Sequence, residues 1–224
     1  MTDAHFHRNA YETFLSVNGR EVRFYGLHPW QLNDCHCPDE EAPARLPELR
    51  ARMETLQAAL EADPVAGVGE IGLDRLKTKT IPVLQRLAFS LQMDLAGALG
   101  RPVVLHGAKC WGEVVKEAAR QRDRIPAFLF HGFSRSEGLL PDIYALNGFV
   151  SVGPAVLNDH AVNYRGMVKR LDLAHVLVET DADVPAPSSA REVLRKVAEI
   201  RGMSADELEA AVDANAVRFL EART

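Results

Sequence analysis

The sequence predicts an α/β protein of the TIM-like (β/α) barrel type, distorted or with a reduced early β-α unit. Three observations lead there. Short, continuously apolar segments alternate with longer helical stretches along the 224 residues, the pattern of parallel strands covered on the outside. Repeated β-α units over such a length build a closed barrel or a doubly wound open sheet. The early chain breaks the repeat: TFLSVNGREVRFYG alternates about Asn18-Gly19, a hairpin signal foreign to a regular parallel barrel.

The elements follow in order. In the first strand Asp3, His5 and His7 fall at every second position and share one face, with Ala4 and Phe6 on the other. After the hairpin come an apolar strand from Val65 to Ile71 and four more in RPVVLHG, IPAFLFHGF, NGFVSVG and AHVLVETD. Between them, helices are expected over Arg45 to Ala62 and Pro82 to Leu99. The second carries apolar residues at Val83, Leu84, Leu87, Ala88, Leu91 and Leu95. Further helices are expected over Trp111–Arg120, Ser136–Leu146, Asp159–Arg170, Ala190–Arg201 and Ser204–Ala222, the last opened by a Ser204/Glu207 capping box. VPAPSS, Val184 to Ser189, reads as a loop, and nothing in the composition divides residues 1–224 into more than one domain.

The composition is that of an ordinary soluble chain, long enough to bury a core without disulfides or a structural metal. A net charge of -5 argues against gripping nucleic acid through a basic surface. No basic-then-apolar leader and no bilayer-length apolar run are present. Three cysteines, an odd number, fit a reducing compartment. The expected location is the cytoplasm, with no membrane and no obligate protein partner evident. Cys35-His36-Cys37 is spaced too closely for a zinc knuckle and reads as loop; Cys110 has no base partner in view and reads as a packed or semi-exposed thiol.

The polar residues at strand ends carry the functional signal. The first strand ends in His5 and His7, RFYGLHPW in His28, GEIGLD in Glu70 with Asp74 beyond, VVLHG in His106, FLFHGF in His131 and LVETD in Asp181. Only FVSVG ends without a candidate. In a β/α barrel all these ends open on one face. Burying so many ionisable groups together is costly without a cation. Histidine and carboxylate without thiolate suit Zn, Mn, Fe, Co or Mg, and the donors are too many for one tetrahedral ion and suit two divalent ions sharing a bridging carboxylate.

The ordered set DAHFH, GLHPW, GEIGLD, VVLHG, FHGFS and ETDADVP resembles the TatD-type metal-dependent deoxyribonucleases of the amidohydrolase superfamily, from Asp3 to about Asp183. NAVRFL, with Asn215 and Phe219, is similar to that family's C-terminal helix. The resemblance implies a distorted TIM barrel with one or two divalent metals at the strand C-termini. By motif, His5 and His7 would bind the first metal, Glu70 would be the bridging catalytic carboxylate, and His106 and His131 would bind the second. Asp181 would bind metal and take the proton of the attacking water. His28 stands open between contacting substrate phosphate and capping the HPW turn. Asp3 is expected to support the strand end, and Asp74 to cap a helix.

The sequence departs from the family where substrate would lie. HGAKC stands where HSRDA is usual, so Gly107 and Ala108 replace a hydroxyl and an arginine, with Lys109 a candidate substrate cation. HGFSRS adds Arg135 near the mouth. Trp30, Phe133 and Tyr164 are candidates to stack on a base. The expected activity is phosphodiester cleavage at DNA or nucleotide ends, with a nucleic acid or nucleotide as substrate. Two alternatives stand beside it: hydrolysis of a small amide, lactone or ester, and a non-catalytic metal-binding regulatory protein. A serine-hydrolase elbow and a Walker loop are absent.

Overall fold

The hairpin at Asn18-Gly19 forms and sets the architecture of the early chain. The computed structural model describes residues 1–9, 12–32, 39–183 and 187–222. Asn18 and Gly19 take φ of 52° and 78°, left-handed at both positions as a two-residue type I′ turn requires. They join β2 (Glu12–Val17) to β3 (Arg20–Tyr25), and β2 also pairs antiparallel with β1 (Thr2–Asn9). A strand thus stands where a regular repeat would place a helix and a parallel strand.

From β3 onward the repeat is regular. β4 (Gly67–Asp74), β5 (Val103–Ala108), β6 (Phe128–Phe130), β7 (Gly148–Val152) and β8 (Val176–Val178) add in sequence order, each parallel to the one before. The chain after β8 then returns to β1. The Asp181 N–H donates to the His5 carbonyl at 3.0 Å and the His7 N–H to the Ala182 carbonyl at 2.7 Å. The eight-stranded sheet therefore curls into a nearly closed TIM-like barrel. β4 runs on to Asp74 and is buried throughout, so Glu70, Gly72 and Asp74 share one face.

Helices α1 (Ala42–Ala62), α2 (Val83–Leu99), α3 (Trp111–Arg120), α4 (Leu140–Ala145) and α5 (Val162–Arg170) connect the parallel strands, and α6 (Pro187–Arg201) and α7 (Ala205–Glu221) follow β8. Prolines move three starts from their expected places, because a helix accepts proline in its first turn. α1 begins at Ala42 with Pro43 in that turn, α4 begins late with Pro141 there after a 3-10 turn over Glu137–Leu139, and α6 begins at Pro187. Pro187 to Ser189 therefore belong to a helix, while Val184, Pro185 and Ala186 lie outside the described residues, as do Cys35, His36 and Cys37. The Ser204/Glu207 capping box is present on α7.

α7 closes the barrel floor. Phe219 packs on Phe24 of β3 at 6.0 Å and Phe149 of β7 at 5.8 Å between centroids. Both lie at the level where the parallel strands begin, Phe24 opposite Gly67 and Phe149 just after Gly148. Asn215 Nδ2 donates to the carbonyls of Leu173 and Val176 at 2.8 Å each and fixes α7 beneath β8.

The outer face of the hairpin is covered by its own long side chains. Arg8 and Arg23 lie over the Phe14 ring at 4.9 and 5.4 Å from its centroid. Arg8 pairs with Glu21 at 2.6 Å, and Arg23 donates to Tyr25 Oη at 2.8 Å. Guanidinium planes and aliphatic stems thus shield Phe14, while the charges keep the exposed sheet face soluble.

Two small features settle expectations about HGAKC. A Cβ built on Gly107 would overlap the Trp111 ring, so the aromatic ring fills the place a side chain would take. Cys110 is buried, its Sγ 3.1 Å from the Leu73 carbonyl. Burial first, then the nearby Glu113 and Asp74 carboxylates, push its thiol up to about 12. We expect Gly107→Ser to cost about 1–3 kcal/mol through overpacking, read as a fall in Tm of roughly 3–10 °C. The same change in a Trp111→Leu background should cost clearly less; equal costs in both backgrounds would separate Gly107 from Trp111.

Candidate metal centre

Every strand end identified from the sequence reaches one spot. β1 supplies His5 and His7, the chain after β3 supplies His28, β4 supplies Glu70 and Asp74, β5 supplies His106, and the chain after β6 supplies His131. Asp181 arrives from the segment that closes the barrel, with φ of 50°. The alternation in β1 turns both its histidines into the barrel mouth, while Phe6 packs outward on Phe14 at 5.7 Å.

Glu70 stands at the centre, buried, with its two oxygens facing different partners. Oε1 lies 2.7 Å from His106 Nδ1 and 2.6 Å from His131 Nε2. Oε2 lies 3.3 Å from His5 Nε2 and 3.7 Å from His7 Nε2. Asp181 Oδ1 faces the second pair, 3.8 Å from His5 Nε2 and 3.4 Å from His7 Nε2. The donor atoms of His5, Glu70 and His131, of His5, His7 and Asp181, and of His28, Glu70 and His106 lie within 4.8 Å of one another in each set. His5 Nδ1 and Nε2 and His131 Nδ1 are buried without a hydrogen-bond partner. Buried imidazole nitrogens lacking partners, set among carboxylates, fit the needs of a divalent cation.

Charge balance in the cluster follows from these distances. Burial acts to raise the Glu70 carboxyl, but His131 and His5 together with the bonds from His106 and His131 hold it well below the usual carboxylate range. Burial acts to lower His131 and His106, and the surrounding carboxylates win at both, Glu70 and Glu179 at His131, Asp74 and Glu70 at His106. His28 goes the other way: burial takes it to about 4 against the pull of Glu70. Its ring is therefore neutral near pH 7. The Trp30 N–H donates to His28 Nδ1 at 3.1 Å, so the ring proton belongs on Nε2, which faces Glu70 Oε1 at 3.6 Å. His28 thus caps the HPW turn and also points an N–H donor into the mouth.

Two supporting groups, Glu179 and Ser151, escaped the sequence reading, and a third, Asp74, has contacts beyond the role expected of it. Because α2 begins only at Val83, Asp74 caps a turn and not the expected helix, accepting the Leu76 N–H at 2.7 Å. It also lies 3.2 Å from His106 Nε2 and accepts the Trp30 indole N–H at 2.9 Å. Glu179, buried two residues before Asp181, faces His131 Nδ1 at 3.6 Å. Ser151 of β7, the strand without a visible ligand, donates to Glu179 Oε2 at 2.5 Å. The period of two from Asp181 back to Glu179 was the available signal. Asp3 acts as expected: its carboxylate accepts the Thr180 N–H at 2.9 Å and hydroxyl at 2.7 Å, tying β1 to the end of β8.

The mouth is a cavity of about 360 Å³ lined by His7, His28, Trp30, Glu70, His106 and Asp181 among others. Lys109 and Arg135 are exposed residues in left-handed backbone that do not line it. Lys109 instead accepts from Arg75 through its carbonyl at 2.7 Å. Phe133 is buried against Trp111 at 5.2 Å, and Tyr164 accepts the Gly153 N–H at 3.4 Å. Of the three aromatic candidates, Trp30 alone lines the cavity.

The TatD related DNase family profile matches residues 2–221. A 3'-5' ssDNA/RNA exonuclease TatD from Cronobacter turicensis is 29% identical over 209 residues, spanning 87% of this chain and 74% of that protein. An uncharacterized metal-dependent hydrolase, YjjV, from Escherichia coli is 32% identical over 168 residues, 70% of this chain and 64% of its own length. The YjjV crystal structure superposes with a TM-score of 0.74 at 28% identity, covering 88% of this chain and 75% of YjjV. An uncharacterized amidohydrolase from Saccharomyces cerevisiae shares the fold, with a TM-score of 0.70 at 15% identity over 87% of this chain and 78% of that one. With its six strand-end motifs gathered around Glu70, the chain belongs to the TatD related DNase family and, with it, to the metal-dependent hydrolases.

Proposed function

We propose that this protein cleaves phosphodiester bonds at the ends of DNA or in nucleotides, using one or two divalent cations. His5, His7 and Asp181 with Glu70 Oε2 would hold the first, and His106 and His131 with Glu70 Oε1 the second. The observation that carries this reading is the division of Glu70, one oxygen toward each histidine pair at the floor of an open mouth. The nuclease names of the relatives support the phosphodiester. The volume of about 360 Å³ is at the small end of ligand pockets, roughly 300–1,000 Å³, and suits one nucleotide unit. The net charge of -5 suits trimming an end over gripping a long duplex.

A divalent cation bound here supplies Lewis acidity and brings a water within reach of deprotonation at neutral pH. The protein's groups do the remainder. Asp181 is the partly exposed carboxylate of the site, 49% against 4% for Glu70. Burial acts to raise it, but the His7 hydrogen bond and the charges of His131 and His5 keep it below the usual range. It is ionised and open to the cavity, placed to accept the proton of the attacking water. His28 Nε2–H is a neutral donor for a phosphoryl oxygen as charge develops. Gly107, one of the departures in HGAKC, is accounted for by Trp111 packing.

Purified protein is expected to carry one to two ions per chain by elemental analysis and to shorten a single-stranded DNA oligomer. Chelation should abolish the cleavage, and one of Mn, Mg, Zn, Co or Fe should restore it. Asp181→Asn should lower kcat by about 10²–10⁴-fold, the usual yield of a positioned base, and His5→Ala should lower metal content while circular dichroism stays unchanged. Bound metal with no cleavage of any oligomer or nucleotide would remove the phosphodiester reading and leave the amide and lactone class. A second expectation concerns Glu179. Glu179→Gln should weaken divalent-cation affinity by about 10–100-fold, as outer partners of metal-binding imidazoles do, measured by competition with a chromophoric chelator. An unchanged affinity would reduce Glu179 to a packing role.

A further inference from the structure

We propose that Trp30 is a stacking platform for the nucleobase of the unit being cleaved, so that the site prefers base-bearing phosphodiester ends to base-free ones; this rests on the phosphodiester reading above. The chain has two tryptophans. Trp111 is buried in the core, whereas Trp30 is 53% exposed at the cavity rim.

Exposed as it is, the Trp30 ring is held by groups of the metal centre. Its indole N–H donates to Asp74 Oδ2 at 2.9 Å, and the same oxygen lies 3.2 Å from His106 Nε2. Its backbone N–H donates to His28 Nδ1, and the two rings meet edge-on at 5.3 Å and 88°. The polar atoms of Trp30 are therefore satisfied, and what it offers to the cavity is a fixed π-face.

The rest of the lining selects the kind of ligand. Around Trp30 the cavity presents histidines, carboxylates, Thr13, Gly26 and Gln31, with no aliphatic side chain among the described residues. An alkyl chain would find apolar contact on one side only. A flat ring with a polar edge, stacked on Trp30 and reaching polar neighbours at its rim, matches both surfaces. Stacking on an aromatic side chain is tolerant of base identity, as an end-trimming enzyme requires. A held ring also spares the ordering cost of binding. The exposed Lys77 Nζ lies over the ring, 5.4 Å from its centroid; on its flexible stem it can yield that face to a base and meet the phosphate of the stacked unit.

The test uses two single-stranded DNA oligomers that differ only in their terminal nucleotides, thymidine in one and base-free tetrahydrofuran in the other. The measured quantity is the ratio of kcat/KM between them, in which any general disturbance of the metal centre cancels. Wild type should favour the base-bearing end by about tenfold or more, within the reach of one stacked base. Trp30→Phe lacks the indole bond to Asp74 but keeps a ring, and should retain most of the preference. Trp30→Ala should bring the ratio close to one. As an independent readout, thymidine 5'-monophosphate should quench the emission that wild type has and Trp30→Phe lacks. A ratio near one in wild type, or an unchanged ratio in Trp30→Ala, would overturn the stacking role while leaving phosphodiester cleavage standing. If wild type cuts neither oligomer, the phosphodiester reading fails, and the quenching titration alone decides whether Trp30 stacks a base.

Discussion

One buried carboxylate organises this molecule. Glu70 lies 2.6–3.7 Å from imidazole nitrogens of His5, His7, His28, His106 and His131. A carboxylate cannot be buried without partners of opposite charge or hydrogen-bond donors. Those partners cannot come from one segment, because each strand of a barrel delivers only its own C-terminal residues to the mouth. Glu70 can therefore be satisfied only when β1, β4, β5 and the chain after β6 are all in register. Fold and site are in this sense the same constraint: the register that pairs Gly72 with His106 and Leu105 with Phe130 also brings the imidazoles to Glu70.

The irregular start of the barrel obeys that constraint. Replacing an early helix by the antiparallel strand β2 alters how β1 reaches β3, yet β1 still runs in the direction of β3 to β8. His5 and His7 keep their place at the mouth because direction and register are preserved. What changes is the outside. A strand hairpin brings no helix to cover its outer face, so Phe14 is shielded by Arg8 and Arg23. On the inside, Asp3 and Thr180 lock β1 to the last strand.

The parts legible in the sequence were those with a strong period or a fixed position. The barrel, the hairpin and the convergence of histidines at strand ends all follow from alternation plus the rule that strand C-termini share a face. The supporting layer was harder to see. Asp74 was read as a helix cap and caps a turn instead; its second oxygen serves His106 and Trp30. A short acidic side chain after a strand carries the same local signature in both roles, and only the fold brings its partners from β5 and the HPW turn. Ser151 gave no signal of its own, because a serine in an apolar strand is common, and Glu179 gave only its place two residues before Asp181. Lys109 and Arg135 were marked for their charge, but nothing in a local sequence indicates that left-handed backbone places both outside the cavity lining. Helix starts moved where proline could occupy a first turn.

Among the carboxylates around the histidines, Glu70 and Asp181 differ in depth and in freedom. Glu70 is sealed in and surrounded, its oxygens each committed to a pair of imidazoles, so it can hold charge but has little freedom to move a proton. Asp181 sits after the end of β8 on left-handed backbone, half open to the cavity and tied through one oxygen to His5 and His7. Its other oxygen is not committed to that pair. A carboxylate held ionised and open to solvent has what the proposed general base needs, whereas a fully buried one suits the proposed bridge. The sequence writes both residues with the same chemistry, and the barrel separates them by depth: one in the body of β4, one beyond the last strand.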